Sequence, residues 1–243
     1  MALGLGITSE LLEKPVLWTP KDQGLAPYLE IWLEGGVDQV DSLSGASWLD
    51  QSGNGNDATK AKGINLGPTL QEGHPGGFAF DGTDDYMDFT SRLRIDQGEP
   101  FTICMAYTPT DITTKALLSD ANSEFMEMMT SKKFRFKGNV GGGLSSTLQY
   151  DNVVFANNVF TNLIFLRNSS NQLQLFIDGI GIEPNANTTN LTNDRGFDTF
   201  NLATRNDSDK FFRGVIYEVF VYNKAIGSSQ ITNAASYLKH KFN

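Results

Sequence analysis

The fold is decided by two segments, FDGTDDYMDF at residues 80–89 and GVIYEVFVYNKA at residues 214–225. In the second segment, Glu218 alternates with Ile216 and Phe220, so a β-strand places its carboxylate on an apolar face. An unpaired carboxylate in such a place is costly. Glu218 therefore requires a partner, which is a metal ion, a backbone turn or a basic side chain.

Short apolar segments separated by Gly, Asn, Asp and Ser follow from Tyr28 onward, a pattern typical of an all-β sandwich. Within 172–178, Leu173, Leu175 and Ile177 share one face, which favours an antiparallel sheet covered on one side. The pattern predicts strands at 28–33, 46–50, 77–81, 86–89, 101–108, 115–119, 133–137, 160–167, 172–178, 198–203 and 212–222.

The two ends of the chain differ from this pattern. After the helix-start sequence GSS at 227–229, apolar residues recur at helical spacing up to Phe242, which predicts one short amphipathic C-terminal helix. Residues 1–26 carry Pro15 and Pro20 without a sustained period and are predicted to form an N-terminal arm. The arm docks either on its own domain or on a neighbouring subunit. Its predicted docking residues are Leu11, Leu12, Val16, Leu17 and Trp18.

Composition excludes several classes of protein. With 40% apolar residues, 17 Phe and 19% charged residues among 243, the chain buries a large core in one domain. A net charge of −9 argues against nucleic-acid binding, which requires clustered Lys and Arg. The densest basic segment, KKFRFK at 132–137, is better interpreted as a strand with Phe134 and Phe136 pointing inward.

Sequence also bears on the compartment. Cys104, the single cysteine, excludes an intrachain disulfide and lies in an apolar segment, so we expect a buried thiol. Residues 1–7 lack a basic region and a long apolar region, so they make a poor signal peptide. No stretch has the length needed to span a bilayer. We expect synthesis in the cytoplasm of the cell that makes the protein, which is the host cell if the protein is viral, and no membrane insertion.

One loop, WLDQSGNGNDA at 48–58, begins like a calcium-binding loop, with oxygen-bearing side chains at Asp50, Ser52 and Asn54. Its twelfth position, where a bidentate Glu closes such a site, is Ala61. A turn held by hydrogen bonds from side chains to backbone is therefore the favoured interpretation.

The order and spacing of 48–57, 80–86 and 214–225, followed by a terminal helix, resemble laminin-G-like domains of the concanavalin-A-like lectin/glucanase superfamily. The resemblance covers about residues 28–243. It implies an antiparallel two-sheet jelly-roll β-sandwich formed by residues 27–243.

Many members of this superfamily hold a structural calcium ion beside these acidic residues. The resemblance carries that role to Asp81, Asp85 and Glu218 as candidate calcium ligands. From the residues alone, the favoured alternative is that Asp81 and Glu218 accept backbone N–H bonds that tie the Gly82 turn to the sheet, because calcium takes six to eight oxygen ligands.

Catalysis is not predicted. Jelly-roll glucanases place a Glu-x-Asp-x-Glu type run on one strand face, so that acid and nucleophile flank the glycosidic bond. The chain has no such run, and Glu124 and Glu127, three positions apart, point to opposite sides of a strand. We expect a binding or structural protein that requires no cofactor.

Two functions remain. LWTPKD at 17–22, followed by 28–33 and 48–56, resembles the start of laminin-G-like proteins among bacteriophage structural genes. This resemblance predicts a virion protein, either a capsid decoration or a tail-associated adhesion protein, present in several copies and docked on other virion proteins. The alternative is a carbohydrate-binding module whose edge loops bind a cell-surface glycan. Its candidate contact residues are Asn185, Asn187, Asn190 and Asn193.

Overall fold

The computed structural model describes residues 18–36, 47–61, 67–71, 76–120, 124–129, 133–138, 147–183, 196–205 and 209–243. These residues form strands β1 (Leu29–Glu34), β2 (Ser47–Trp48), β3 (Ala58–Lys60), β4 (Thr69–Gln71), β5 (Gly77–Asp81), β6 (Met87–Asp96), β7 (Phe101–Pro109), β8 (Lys115–Asp120), β9 (Glu124–Met129), β10 (Lys133–Lys137), β11 (Thr147–Tyr150), β12 (Thr161–Arg167), β13 (Leu173–Ile177), β14 (Ile180–Ile182), β15 (Gly196–Leu202) and β16 (Arg213–Tyr222), and helix α1 (Ser228–Phe242). A 3₁₀ turn, Ala26–Tyr28, precedes β1.

The strands form two antiparallel sheets of eight strands each. Sheet A has the order β14-β13-β12-β7-β16-β5-β4, with β1 also paired to β16. Sheet B has the order β11-β10-β9-β8-β15-β6-β3-β2. The predicted all-β, two-sheet antiparallel sandwich with a C-terminal helix is therefore confirmed.

The segments 80–89 and 214–225 meet where the end of β5 pairs with the start of β16. One edge of β16 pairs with β7 along its length. The other edge is divided: Arg213 to Ile216 pair with β5, and Glu218 to Tyr222 pair with β1. This division satisfies the backbone groups of a strand that is buried in the middle of sheet A.

The core has two parts. A large apolar cluster, which includes Trp48, Phe101 and Phe165, fills the space between the two sheets. A second cluster lies on the outer face of sheet A, where helix α1 covers Phe220 and Tyr222. The helix begins after its N-cap Gly227, as the sequence predicts, and its apolar residues face the sheet. Among the described residues, no helix has the length and hydrophobicity required to cross a membrane.

Strand alternation was predicted well where one face is apolar. Phe134 and Phe136 are buried while the charges of β10 lie on the other face. Leu173, Leu175 and Ile177 are likewise buried. The prediction missed β3, β4, β9, β11 and β14, which are short or, in β9, almost wholly buried.

Part of the predicted arm packs on its own domain. The Trp18 ring lies 6.2 Å from that of Phe220 and 5.6 Å from that of Tyr237. The Tyr222 hydroxyl donates to the Pro20 carbonyl oxygen at 2.9 Å, and Leu25 is fully buried. The other predicted docking residues, Leu11, Leu12, Val16 and Leu17, lie outside the described residues.

Gly214 provides a test of this strand arrangement. Its φ is +141°, and a Cβ there would lie 2.2 Å from the Thr108 carbonyl oxygen on β7. We expect Gly214→Ala to destabilise the fold by roughly 2 kcal/mol or more, because a clash adds to backbone strain. Denaturant unfolding measures this change.

Gly55→Ala is the matched control, because Gly55 also has a positive φ of +72° but would meet no atom within 4 Å. Its expected cost is about 1 kcal/mol from strain alone. Equal losses in the two variants would contradict the close approach of β16 and β7.

Candidate functional site

Two of the predicted calcium ligands lie together in the turn after β5. The carboxylates of Asp81, Asp84 and Asp85 lie within 4.8 Å of one another. Asp81 accepts the backbone N–H of Thr83 at 2.8 Å, and Asp85 accepts that of Asp81 at 2.9 Å. These bonds are the backbone role that the sequence offered as the alternative to calcium for Asp81.

The pKa values of Asp81 and Asp85 are shifted in opposite directions. Partial burial opposes ionisation of Asp81, but the backbone N–H groups of Thr83, Asp84 and Asp85 outweigh it and lower its pKa. Burial raises the pKa of Asp85, and the negative charges of Asp81 and Asp84 add to that rise. Three carboxylates carry six oxygen atoms, the fewest that calcium takes, and those of Asp81 and Asp85 already accept backbone N–H groups. Calcium binding here stays a prediction.

The third predicted ligand, Glu218, is elsewhere. Asp81 pairs with Arg213, which is five residues before Glu218 on β16, a separation of about 16 Å along a strand. The prediction that Asp81, Asp85 and Glu218 share one ion is therefore wrong. A bulge between Ile216 and Glu218 turns Glu218 toward helix α1, whereas Ile216 faces the core between the sheets.

The partner that Glu218 requires is a basic side chain. Lys241 of α1 donates to the Glu218 carboxylate at 2.8 Å. The Trp32 indole N–H and the Tyr237 hydroxyl also donate to it, at 2.8 and 2.9 Å. Lys241 additionally pairs with Glu34 of β1. This cluster fastens the C-terminal turn of the helix to two strands of sheet A.

Burial dominates the charge state of this cluster. Removal from water raises the pKa of Glu218 to about 7, although Lys241 and the Trp32 N–H act in the opposite direction. Burial, together with the negative charge of Glu218, also raises the pKa of Tyr237. Glu218 therefore changes charge near neutral pH.

The loop that begins like a calcium site is a hydrogen-bonded turn, as the sequence favoured. The Asp50 carboxylate accepts the backbone N–H groups of Trp32, Ser52 and Asn56, each at 2.9 Å. The Asn56 amide donates to the Glu30 carbonyl oxygen of β1 at 3.2 Å. The loop is thereby fixed against the start of β1.

Beside this loop lies a groove at one end of the sandwich. Two adjoining cavities of about 210 and about 420 Å³ share Arg94, Ile95 and Asn223 and run from β6 to the end of β16. We call this feature the end groove. It is lined by Pro27, Tyr28, Glu30, Asn56, Ser91, Arg92, Leu93, Arg94, Ile95, Asp96, Glu99, Pro100, Val221, Tyr222 and Asn223.

An aromatic ring is exposed at the end groove. Tyr28 is 38% exposed, one of few large apolar side chains in the described chain that reach solvent to this extent. The Lys224 ammonium lies 4.2 Å from the centre of its ring. The Asn223 backbone N–H donates to the Tyr28 carbonyl oxygen at 3.0 Å, and its side-chain amide donates to Glu30. These contacts fix Tyr28 at the junction of β1 and β16.

The walls of the end groove are held by buried charges. Arg167, which is fully buried, donates to the carbonyl oxygens of Asp96 and Glu99 at 2.7 and 2.8 Å and so fixes the turn after β6. On β6 itself, Arg92 pairs with the buried Asp120 at 2.9 Å. The groove is thus shaped by contacts that reach into the core.

The sequence did not predict the end groove, because its residues come from segments that are distant in the chain. Tyr28 and Asn223 lay at the borders of predicted strands, and Arg92 carried no signal of its own. The four Asn residues predicted to contact a glycan, at 185, 187, 190 and 193, lie outside the described residues.

Comparison with known proteins agrees with this fold. A family model described as the concanavalin A-like lectin/glucanases superfamily matches residues 81–232, which is more than half of the chain. A search of curated proteins finds no match.

Several solved structures share the fold at low identity. The binding domain of botulinum neurotoxin DC, solved in complex with rat synaptotagmin II, is 11% identical, with a TM-score of 0.63 over 88% of this chain and 52% of that chain. The binding domain of Paraclostridial Mosquitocidal Protein 1 is 14% identical, with a TM-score of 0.63 over 86% and 52%. Trypanosoma rangeli sialidase is 14% identical, with a TM-score of 0.56 over 88% and 33%. The chain spans about half the length of the two toxin domains it matches.

The raised pKa of Glu218 predicts how stability depends on pH. The folded state binds this proton more tightly than the unfolded state, so the contribution is complete below about pH 4.5 and is lost as the pH rises through about 7. We expect wild type to gain roughly 2 to 3 kcal/mol relative to Glu218→Gln between pH 8 and pH 5. Denaturant unfolding across this range measures the difference.

Glu183→Gln, on the far edge of sheet A, controls for the loss of one negative charge. A difference between wild type and Glu218→Gln that stays constant from pH 5 to pH 8 would show that Glu218 does not titrate in the folded protein.

Proposed function

Because the chain belongs to the concanavalin A-like lectin/glucanases superfamily, we propose that it is a non-enzymatic carbohydrate-binding domain that holds a glycan in the end groove. The observation that carries this proposal is the exposed ring of Tyr28 at the edge of two adjoining cavities lined by polar groups. Membership of the superfamily alone does not define a function.

The chemistry of the end groove suits a sugar. An aromatic ring presents a flat apolar surface to the C–H face of a pyranose. Asn223 lines the same cavity as Tyr28, and Asn56 lines the adjoining one. One amide N–H of each donates to Glu30, and the second N–H and the side-chain oxygen match the hydroxyl groups of a sugar. A few convergent polar groups beside an apolar surface are typical of ligand-binding pockets.

Charge in the end groove favours a neutral glycan. Its lining residues include the cations Arg92 and Arg94 and the anions Glu30, Asp96 and Glu99. With Lys224, whose ammonium lies over the Tyr28 ring, the groove has three positive and three negative side chains. A balanced set of charges attracts neither a strongly acidic nor a strongly basic ligand.

The rigidity of the walls supports affinity. Arg167 and Asp120, both fully buried, fix the turn after β6 and the Arg92 side chain before any ligand binds. A prearranged site loses less conformational entropy on binding than a flexible one. The proposal is therefore a preformed groove rather than one that folds around its ligand.

Tyr28→Ala tests the proposal. We expect an array of neutral oligosaccharides to identify a ligand of wild type, and the substitution to weaken that ligand at least about tenfold, because the stacking surface is lost. Tyr28→Phe keeps the ring and is expected to bind within about threefold of wild type. Titration calorimetry with the array hit measures all three proteins.

Two further readouts make this test decisive. Unfolding of each variant shows whether the fold is intact, and a reducing-end assay shows whether the bound glycan is cleaved. Wild type that binds no glycan, or Tyr28→Ala that binds as well as wild type, would rule out the end groove as a glycan site. Cleavage would rule out a purely binding role.

The proposal can be made more specific by placing this binding domain on a virus particle. A binding domain carried in many copies on a particle gains avidity from weak contacts, which suits an adhesion protein. In this version of the proposal, the domain is present in several copies and docks on other virion proteins.

Deleting residues 2–17 tests the arm. The deletion keeps Trp18, Pro20 and Leu25, whose contacts fix the start of the domain, so we expect unchanged thermal stability. Association with particles is expected to be lost, and co-sedimentation with assembled particles measures it. Unchanged association would show that these residues are not an assembly arm.

A further inference from the structure

A charged surface that is distinct from the end groove lies on the face of sheet B that points away from the core. In the β9–β10 pair, Arg135 is opposite Glu127 and Lys137 is opposite Phe125. Their neighbours Met126, Met128, Phe134 and Phe136 belong to the core between the sheets. Because side chains alternate along a strand, the two pairs Arg135–Glu127 and Lys137–Phe125 share the outer face.

Three cations surround one aromatic ring on this face. The guanidinium carbon atoms of Arg135 and Arg205 lie 4.8 and 4.5 Å from the centre of the Phe125 ring, and the Lys137 ammonium lies 5.9 Å from it. Arg205 arrives from the segment after β15. We call Arg135, Lys137 and Arg205, with Phe125 and Glu127 beneath them, the cationic cluster.

Glu127 holds the two arginines in place. Its carboxylate is fully buried and accepts hydrogen bonds from Arg135, with the Nε donor at 3.1 Å, and from Arg205 Nη1 at 3.3 Å. A guanidinium fixed by a carboxylate and an aromatic face loses little freedom when it binds a further group. The arginines are therefore prearranged.

The negative charge of Glu127 does not neutralise the positive charge of the cluster. Three cations and one anion leave a local charge of +2, in a chain whose net charge is −9. Within the described part of the chain, Lys137 has no ion pair, and Glu127 engages two N–H groups of Arg135 and one of Arg205. The side chains of Arg135 and Arg205 are 25% and 26% exposed, so solvent reaches them.

We propose that the cationic cluster binds an oxyanion, the carboxylate or sulfate of an acidic polysaccharide. Guanidinium groups match the planar or tetrahedral arrangement of such oxygens, and the Lys137 ammonium adds a point charge beside them. The cluster shares no residue with the end groove, so this site is separate from the proposed neutral-glycan site.

Lys137→Gln tests the cluster, because Lys137 pairs with no buried carboxylate and its replacement leaves Glu127 satisfied. Binding to polygalacturonate and to dextran sulfate is measured at low salt, with methyl-esterified polygalacturonate and dextran as uncharged counterparts. We expect wild type to bind one or both charged polymers and Lys137→Gln to bind roughly fivefold more weakly. Lys137→Arg is expected to retain binding.

Lys239→Gln is the matched control, since it removes one exposed positive charge from helix α1, on the opposite side of the sandwich. The proposal is overturned if both lysine variants lose affinity equally, if the uncharged polymers bind as well as the charged ones, or if neither charged polymer binds. Binding of inorganic sulfate by the cluster without binding of either polymer would also overturn it, because the site would then take only a free ion.

Tyr28→Ala separates the two proposals. It is expected to leave binding of the charged polymer unchanged while it weakens binding of the neutral glycan at least about tenfold. Loss of both activities in Tyr28→Ala would indicate a single site and overturn the separate cationic cluster.

Discussion

The need to satisfy the backbone of a strand that is buried over most of its length governs this structure. Strand β16 is covered by the inter-sheet core on one face and by helix α1 on the other, so none of its polar groups has access to bulk water over the buried stretch. Strand β7 satisfies one edge, and β5 and β1 divide the other. That division brings the start of β1 beside the end of β16, and Tyr28 and Asn223 meet there because of it.

Buried charges give the surface features their shape. Each is paired: Glu218 with Lys241, Arg167 with two carbonyl oxygens, and Glu127 with two arginines. Buried pairs of this kind contribute little net stability compared with apolar residues, but removal of one partner is strongly destabilising. Their effect here is positional. Glu218 places the helix, Arg167 shapes a wall of the end groove, and Glu127 orients the arginines of the cationic cluster.

Sequence reasoning succeeded where one residue type reports one environment. The alternation of Phe134 and Phe136 with charges, the helical period after Gly227, and the need of Glu218 for a partner were all readable. The partner was not, because Lys241 and Trp32 lie 23 and 186 residues from Glu218 and only the fold brings them together. The bulge before Glu218 also puts Ile216 on the opposite face from Glu218 and Phe220, although simple alternation predicts one shared face, since one extra residue in a strand shifts the alternation that follows. The end groove could not be predicted for the same reason, because its lining residues are far apart in the sequence.

The charge of the whole chain is a poor guide to what its separate surfaces attract. At physiological ionic strength the Debye length is about 8 Å, so charges spread over a sandwich of this size are largely screened from one another. A local charge of +2 within a few ångströms therefore dominates what a ligand meets at Phe125, despite the overall −9. At the end groove the lining charges balance, and shape and hydrogen bonding prevail instead. One acidic domain can thus offer a neutral surface at its end and a cationic one on its open sheet, each fixed by a different set of buried contacts.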